Sequence, residues 1–137
     1  MIIMSVDLGD ARTGIAVSDN SESFAFPRTV IEERNKDRLI EKILNEANLS
    51  CAQRIVVGLP KNMDGSLGFK AQECTEIADK IREKFTAGDV TMWDERCTTV
   101  SAHHALNTTN TRGKKRKAIV DAVAATMILE DYLRSIK

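Results

Sequence analysis

The first third of the chain alternates short apolar runs with polar turns, a pattern typical of β-strands. Apolar runs predict three strands, at residues 2–8, 13–18 and 27–33. The segment "GDAR" between the first two is short enough for an antiparallel hairpin. Pro27 would stand at the start of the third strand, where a missing N–H is tolerated. The pattern therefore predicts an antiparallel meander.

Beyond residue 36 the apolar residues recur at helical spacing, interrupted by two further strand-like runs. Gly58 and Pro60 would stop the first of these strands, and Gly88 would end the helix that follows it. The predicted elements are a helix at about 36–47, a strand at 52–60, a helix at about 69–85, a strand at 89–95, a short helix at 99–107 and a long helix at about 115–136. The order predicts an α/β fold with a mixed sheet and helices packed on it.

Length and composition favour one ordinary globular domain over residues 1–137. No apolar run approaches the length of a membrane span, and the N-terminus lacks the basic region of a signal peptide. The cysteines Cys51, Cys74 and Cys97 are widely spaced, which favours reduced thiols in a cytoplasmic protein without a membrane partner. Because the formal net charge is zero, only local clusters of charge can indicate a nucleic-acid partner.

Acidic residues stand where predicted strands and a helix would meet. Asp7 ends the first strand, Asp94 and Glu95 end the fifth, and Asp121 is the only charged residue in "AIVDAVAATMIL". Sites in open α/β sheets gather at the carboxyl ends of strands. Asp121 also shares a helical stripe with apolar residues expected to pack on the sheet, namely Ala125, Ile128 and Tyr132.

Each acid also has an ordinary structural interpretation. Asp7 suits a turn, Asp94 and Glu95 could cap the strand or pair with Arg96, and Asp121 could pair with one of the nearby cations Lys115, Lys117 and Arg134. If the acids converge, however, two like charges 4 Å apart repel by about 4 kcal/mol at an effective dielectric near 20. Carboxylates then favour a hard cation, Mg²⁺ or Mn²⁺, and a two-metal site could activate water for phosphodiester hydrolysis.

Four ordered segments of the chain carry a family resemblance: "DLGDARTGIAVSD", "VVGLPKNMDGS", "DERCTT" and "VDAVAATMILEDYL". In this order they resemble the YqgF-type proteins, which are Holliday-junction-resolvase-like pre-16S rRNA nucleases with an RNase H-like fold. The resemblance implies a five-stranded sheet in order 3-2-1-4-5. It also implies a metal-dependent catalytic site of Asp7, Glu95 and Asp121. Successive strand residues face opposite ways, so only one of Asp94 and Glu95 should take part, and the motif favours Glu95.

Two basic or polar segments are candidates for contacts with nucleic acid. The run "RGKKRK" leads towards Asp121 and predicts phosphate contacts, although a solvated basic loop has the same composition; its charged residues are Arg112, Lys114, Lys115, Arg116 and Lys117. Arg12 is a second phosphate candidate, or a surface turn residue. The segment "GLPKNMDGS" has no Walker-type Gly-Lys-Ser/Thr, and the resemblance alone suggests that Lys61, Asn62 and Ser66 line the active-site face.

The resulting hypothesis is a cytoplasmic nuclease that uses Mg²⁺ or Mn²⁺ on structured RNA, with precursor 16S rRNA as the favoured substrate. Three alternatives remain open. A junction resolvase of the same fold would cut branched DNA and usually requires a symmetric dimer, so the hypothesis leaves monomer and homodimer open. A non-catalytic RNA-binding module would need no divalent metal. An actin-like ATPase is suggested by the stretch "VDLGDARTGIAVSD", which could be one limb of a phosphate-binding loop, but such a fold would need two domains of this kind.

Overall fold

The computed structural model describes residues 1–60, 68–95 and 113–136, and for 113–121 it describes the backbone only. The five predicted strands are all present: β1 Ile3–Leu8, β2 Arg12–Ser18, β3 Ala25–Glu32, β4 Arg54–Leu59 and β5 Asp89–Asp94. The helices are α1 Lys36–Ser50, α2 Phe69–Lys84 and α3 Gly113–Ser135. The helix predicted at 99–107 lies outside the described residues.

The strands form one mixed sheet in the order β3-β2-β1-β4-β5. Strand β1 pairs antiparallel with β2 and parallel with β4; β2–β3 is antiparallel and β4–β5 parallel. Both the antiparallel meander and the strand order implied by the family resemblance are confirmed. The β1–β2 turn needs a glycine, because a Cβ on Gly9 would lie 2.2 Å from the carbonyl oxygen of Arg12.

Helices cover both faces of the sheet and give it two cores. Helices α1 and α2 pack on one face, where they bury the stripes that the periodicity predicted. Helix α3 packs on the other face, and its predicted stripe of Ala125, Ile128 and Tyr132 is buried there. Within the described ranges, no helix is both long enough and apolar enough to cross a membrane.

Four details of the sequence prediction are corrected by the structure. Strand β3 begins at Ala25, and Pro27 lies inside it, next to a register shift; β3 is an edge strand, where a proline is tolerated. Helix α1 continues to Ser50, because Cys51 adopts a left-handed conformation and caps it. Gly88 does not end α2, which stops at Lys84; a Cβ on Gly88 would lie 1.7 Å from the carbonyl oxygen of Gln53. Gly58 lies within β4 rather than ending it.

Candidate active site

The carboxyl groups of Asp7 and Glu95 meet at one edge of the sheet. Strands β1, β4 and β5 are parallel, so their carboxyl ends lie at the same edge. Asp7 lies near the end of β1 and is 9% exposed, while Glu95 follows β5 directly. Their side chains are hydrogen-bonded to each other. The structure thus brings together two of the three acids that the family resemblance implies for the catalytic site.

Gly58 provides the space for this contact. It lies on β4, between the strands that carry the two acids, and its register partner on β5 is Trp93. A Cβ at Gly58 would lie 2.9 Å from Oε1 of Glu95 and 2.8 Å from Cδ1 of Ile128. The sequence analysis missed this role. The available signal was a glycine among β-branched residues, which is typical of a close approach by another group.

Burial and neighbouring charges set the protonation of the groups around the acid pair. Burial is the main cause that raises the pKa of Glu95, and the charge of Asp94 adds to it; the hydrogen bond to Asp7 and the charge of Lys70 oppose the rise. Burial also raises the pKa of the Cys74 thiol to about 11. Because a thiol is nucleophilic only when deprotonated, Cys74 is not suited to act as a nucleophile at neutral pH.

Lys70, which the sequence analysis did not identify, brings a positive charge to the acid pair. Its Nζ lies 2.9 Å from Oδ1 of Asp10 in the β1–β2 turn. Burial acts to lower the pKa of Lys70, but the hydrogen bond and charge of Asp10, together with the charges of Cys74 and Glu73, raise the pKa overall. The Lys70 charge also acts on Glu95 and Cys74. The first turn of α2 therefore lies close to the acid pair.

Two contacts determine the direction of α3 across the sheet. The buried Ser5 hydroxyl on β1 donates a hydrogen bond to the carbonyl oxygen of Ala125, at 2.7 Å. Seven residues further along α3, the Tyr132 hydroxyl accepts a hydrogen bond from Nη1 of Arg54, at 2.8 Å. Arg54 is the register partner of Ile3, at the beginning of β1. Helix α3 therefore runs from the carboxyl end of β1 towards its beginning.

This direction determines where the backbone of Asp121 lies. Asp121 precedes Ala125 by four residues, about 6 Å along the helix axis. Asp7 follows Ser5 by two residues, about 6.6 Å along the strand, and on the same face of the sheet. The two displacements run in the same direction from the Ser5–Ala125 contact. The backbone of Asp121 consequently lies towards the edge of the sheet where Asp7 lies, whereas its side chain is outside the described atoms.

The donor atoms of the acid pair fit a divalent cation. Asp7 and Glu95 offer only carboxylate oxygens, the ligands that Mg²⁺ and Mn²⁺ prefer. Among the side chains that the structure describes, no three His, Cys, Asp or Glu residues are grouped to hold a metal ion. Asp94, the neighbouring acid considered in the sequence analysis, is the last residue of β5 and the register partner of Leu59 on β4. Metal binding by Asp7, Glu95 and Asp121 stays a prediction.

The predicted contacts with phosphate lie mostly outside the described atoms. Arg12 begins β2, and its Nε lies 3.4 Å from Oε1 of Glu32. Other predicted residues fall outside the described segments, namely Lys61, Asn62, Ser66 and Arg112. The remaining ones lie at the start of α3, where only the backbone is described: Lys114, Lys115, Arg116 and Lys117. These roles stay predictions.

Comparison with known proteins places these features in a family context. A family model described as "RuvX: Holliday junction resolvase" matches residues 1–135. A protein of Clostridium acetobutylicum named "Putative pre-16S rRNA nuclease" is 38% identical over 136 residues, which cover 99% of this chain and all of the relative. A protein of the same name from Clostridium botulinum (strain Hall) is 40% identical over 136 residues, 99% of this chain and 98% of the relative.

Solved structures resemble the chain in fold. RuvC of T. thermophilus, in complex with a Holliday junction substrate, matches with a TM-score of 0.60 and 14% identity, over 100% of this chain and 97% of RuvC. The fowlpox virus Holliday junction resolvase matches with a TM-score of 0.59 and 18% identity, over 98% and 99% of the two chains. At these identities the likeness concerns the fold, and it confirms the predicted RNase H-like architecture.

Proposed function

This chain belongs to the RuvX family of Holliday junction resolvases, and from that membership we propose that it is a metal-dependent endonuclease that cleaves structured RNA. The favoured substrate is precursor 16S rRNA, cut during maturation of its 5′ end. The sequence relatives support RNA, because those from C. acetobutylicum and C. botulinum bear the name of a pre-16S rRNA nuclease. The cytoplasm, where ribosomes are assembled, is the proposed location.

The contact between Asp7 and Glu95 carries this proposal. Two carboxyl groups are costly to bury side by side unless a proton or a cation compensates their charge. Here β1 and the end of β5 hold them in contact across Gly58, at the edge where α/β folds bind ligands. Burial is the main cause of the raised pKa of Glu95, and the hydrogen bond to Asp7 opposes that rise. An arrangement of this kind favours a cation site over a structural salt bridge.

A divalent cation at Asp7, Glu95 and Asp121 would supply activation of water and stabilisation of charge on the leaving oxygen. The chain contributes the position of its ligands. Asp7 is held on a central strand, Glu95 is turned towards it through the space above Gly58, and the Ser5–Ala125 contact anchors the helix that carries Asp121. No protein nucleophile is required, in accordance with the protonated state of Cys74.

Cleavage of branched DNA is the second candidate function. It is favoured by the description of the matching family as a Holliday junction resolvase. The same acids and metal would serve either substrate, since the RNA–DNA choice depends on shape and on contacts with the 2′-hydroxyl. A resolvase would need a symmetric dimer to cut two strands, whereas cleavage of an rRNA precursor is compatible with a monomer.

The test compares both substrates under the same conditions. Purified full-length protein is incubated with Mg²⁺ or Mn²⁺ and either a precursor 16S rRNA transcript or a four-way DNA junction. The variants are Asp7→Asn, Glu95→Gln and Asp121→Asn, which remove charge with little change in shape. Asp79→Asn is the matched control, because Asp79 is exposed on α2 and pairs with Arg82.

We expect each site variant to reduce cleavage at least about 100-fold, since even residues that only support metal ligands typically contribute 10–100-fold. The Asp79 variant should cleave like wild type. Faster cleavage of the RNA supports the rRNA function, and faster cleavage of the junction supports the second candidate. If all three site variants cleave like wild type, the proposed mechanism is wrong.

A further inference from the structure

Helix α2 begins with an exposed aromatic ring followed by a lysine. Phe69 is 84% exposed, a larger fraction than for any other large apolar residue in the described part of the chain. Lys70 comes next and forms the contact with Asp10 described above. Single exposed apolar residues are common on protein surfaces. The combination of this ring with a cation, beside the candidate active site, calls for a more specific explanation.

The position of Lys70 follows from one contact and from electrostatic interactions with the groups around the acid pair. Lys70 bonds to the β1–β2 turn at Asp10, two residues beyond the end of β1. Its charge acts on Glu95, and one helical turn later Cys74 lies within the electrostatic influence of Glu95 and Asp7. Phe69 adjoins Lys70 in the chain. Lys70 thus lies at the rim of the acid pair, and the exposed Phe69 precedes it at the start of the same helix.

We propose that Phe69 and Lys70 form a nucleotide-binding site at this rim. Lys70 binds a backbone phosphate, and Phe69 stacks on the base of a neighbouring unpaired nucleotide. The inference rests on the proposed function in requiring a nucleic-acid substrate, but it does not require cleavage. It adds that the strand beside the acid pair is single-stranded, since a base paired within a helix has no free face to stack on a side chain.

The chemistry of the two side chains fits this role. Stacking on an aromatic ring tolerates any base, so it holds a strand without selecting its sequence. The Lys70–Asp10 ion pair is partly open to solvent, with 39% and 87% of the two side chains exposed. Exposed ion pairs contribute little to stability, so a phosphate can compete with Asp10 for the ammonium group.

The first experiment tests the aromatic ring. The probe is a 12-nucleotide single-stranded RNA containing 2-aminopurine, titrated with full-length protein in EDTA so that binding is measured apart from cleavage. Phe69→Ala should weaken binding about tenfold and abolish the additional quenching of 2-aminopurine that stacking produces. The matched control is Phe24→Ala, because Phe24 is also exposed, at 67%, but precedes β3 at the opposite end of the sheet.

The second experiment tests the lysine through the dependence of affinity on salt. Lys70→Ala should reduce the slope of log K against log salt by about 0.7, the value expected for one phosphate contact on a single strand. Lys84→Ala, at the other end of the same helix, should leave the slope unchanged. Asp10→Asn should tighten binding, because Lys70 loses the anion in direct contact with it, and this gain should vanish in the double variant Asp10→Asn/Lys70→Ala.

Each result has a defined meaning. If the Lys70–Asp10 ion pair has only a structural role, Lys70→Ala and Asp10→Asn should weaken RNA binding equally. That result would overturn the proposal for Lys70. Unchanged affinity and quenching in Phe69→Ala would overturn it for the ring. RNA binding with these effects but without metal-dependent cleavage would refute the proposed function and leave this inference intact. Metal-dependent cleavage by wild type together with normal RNA binding by Phe69→Ala would support the proposed function and refute this inference for Phe69.

Discussion

Replacing Gly58 with alanine tests directly how the acid pair is assembled. The added Cβ would lie 2.9 Å from Oε1 of Glu95 and 2.8 Å from Cδ1 of Ile128, whereas ordinary contacts begin at 3.4 Å. Glu95 must therefore retreat by at least about 0.5 Å and Ile128 by about 0.6 Å, from the differences between these distances. Both atoms are the ends of side chains, so the strand itself can keep its place.

The expected change in stability is the balance of two effects. Overpacking a core by one methyl group typically costs about 1–3 kcal/mol. Replacing a glycine inside a strand with alanine by itself increases the free energy of unfolding by about 0.5–1 kcal/mol. We therefore expect the free energy of unfolding to fall by about 1 kcal/mol. For a domain of 137 residues, that corresponds to a decrease in Tm of about 3–4 °C.

A double-mutant cycle in urea separates the two collisions. Ile128→Val removes the Cδ1 atom, so it should cost about 1 kcal/mol in wild type but almost nothing beside Gly58→Ala. The matched control is Ile55→Val, because Ile55 is equally buried on β4 but belongs to the core on the opposite face. Its cost should add to that of Gly58→Ala without coupling.

Activity should respond differently from stability. Ile128→Val relieves the collision with α3 but leaves the collision with Glu95, so the double variant should regain stability without regaining cleavage. If a displacement of 1 Å costs about 100-fold, half of that displacement should cost about tenfold. Additive stabilities, with a coupling below about 0.3 kcal/mol, would refute the claimed contact with Ile128. Normal cleavage by Gly58→Ala would refute the claim that Gly58 positions Glu95.

Two further predictions concern contacts that hold the fold. Ser5→Ala removes the buried hydrogen bond to Ala125 and should lower the free energy of unfolding by about 1 kcal/mol in urea denaturation; an unchanged value would show that this bond does not anchor α3. Hydrogen bonds from Ser21 and from the N–H groups of Phe24 and Ser23 lower the pKa of Asp19 from 3.8 to about 2. Because the folded state has the lower pKa, the stability that Asp19 contributes is complete above about pH 4 and is lost as the pH falls towards 2. The free energy of unfolding of Asp19→Asn should therefore be lower than that of wild type at pH 4, and this difference should disappear as the pH falls to about 2. A difference in unfolding free energy that stays constant over this pH range would contradict the assignment.

The elements and their faces were predictable from the sequence, because local patterns specify them. The helical spacing from Leu39 to Ala47 identified the buried side of α1, and the stripe through Ile128 identified that of α3. Period-two and period-3.6 patterns reflect which side of an element faces a core, so they can be read without knowing what the core contains. The order of the sheet, by contrast, was implied by family resemblance.

Glycine roles were predictable only in part, because the same residue serves local and long-range purposes. Gly9 lies in a tight turn, which the sequence indicated correctly. Gly88 was assigned to a helix end, but its real constraint is the carbonyl oxygen of Gln53, 35 residues earlier in the chain. Gly58 was read as a stop signal, although it makes space for Glu95. A collision between distant segments leaves no local pattern, so only the folded chain reveals it.

The sequence by itself determined which acids were available and at which ends of which elements they stand. It could not determine that Asp7 and Glu95 share a hydrogen bond, or that Lys70 places its charge beside them. These contacts depend on the register of three parallel strands and on the packing of α2, and they span 25 to 88 residues of chain. Local propensity acts over a few residues, whereas the site depends on tertiary packing, which only the structure decides.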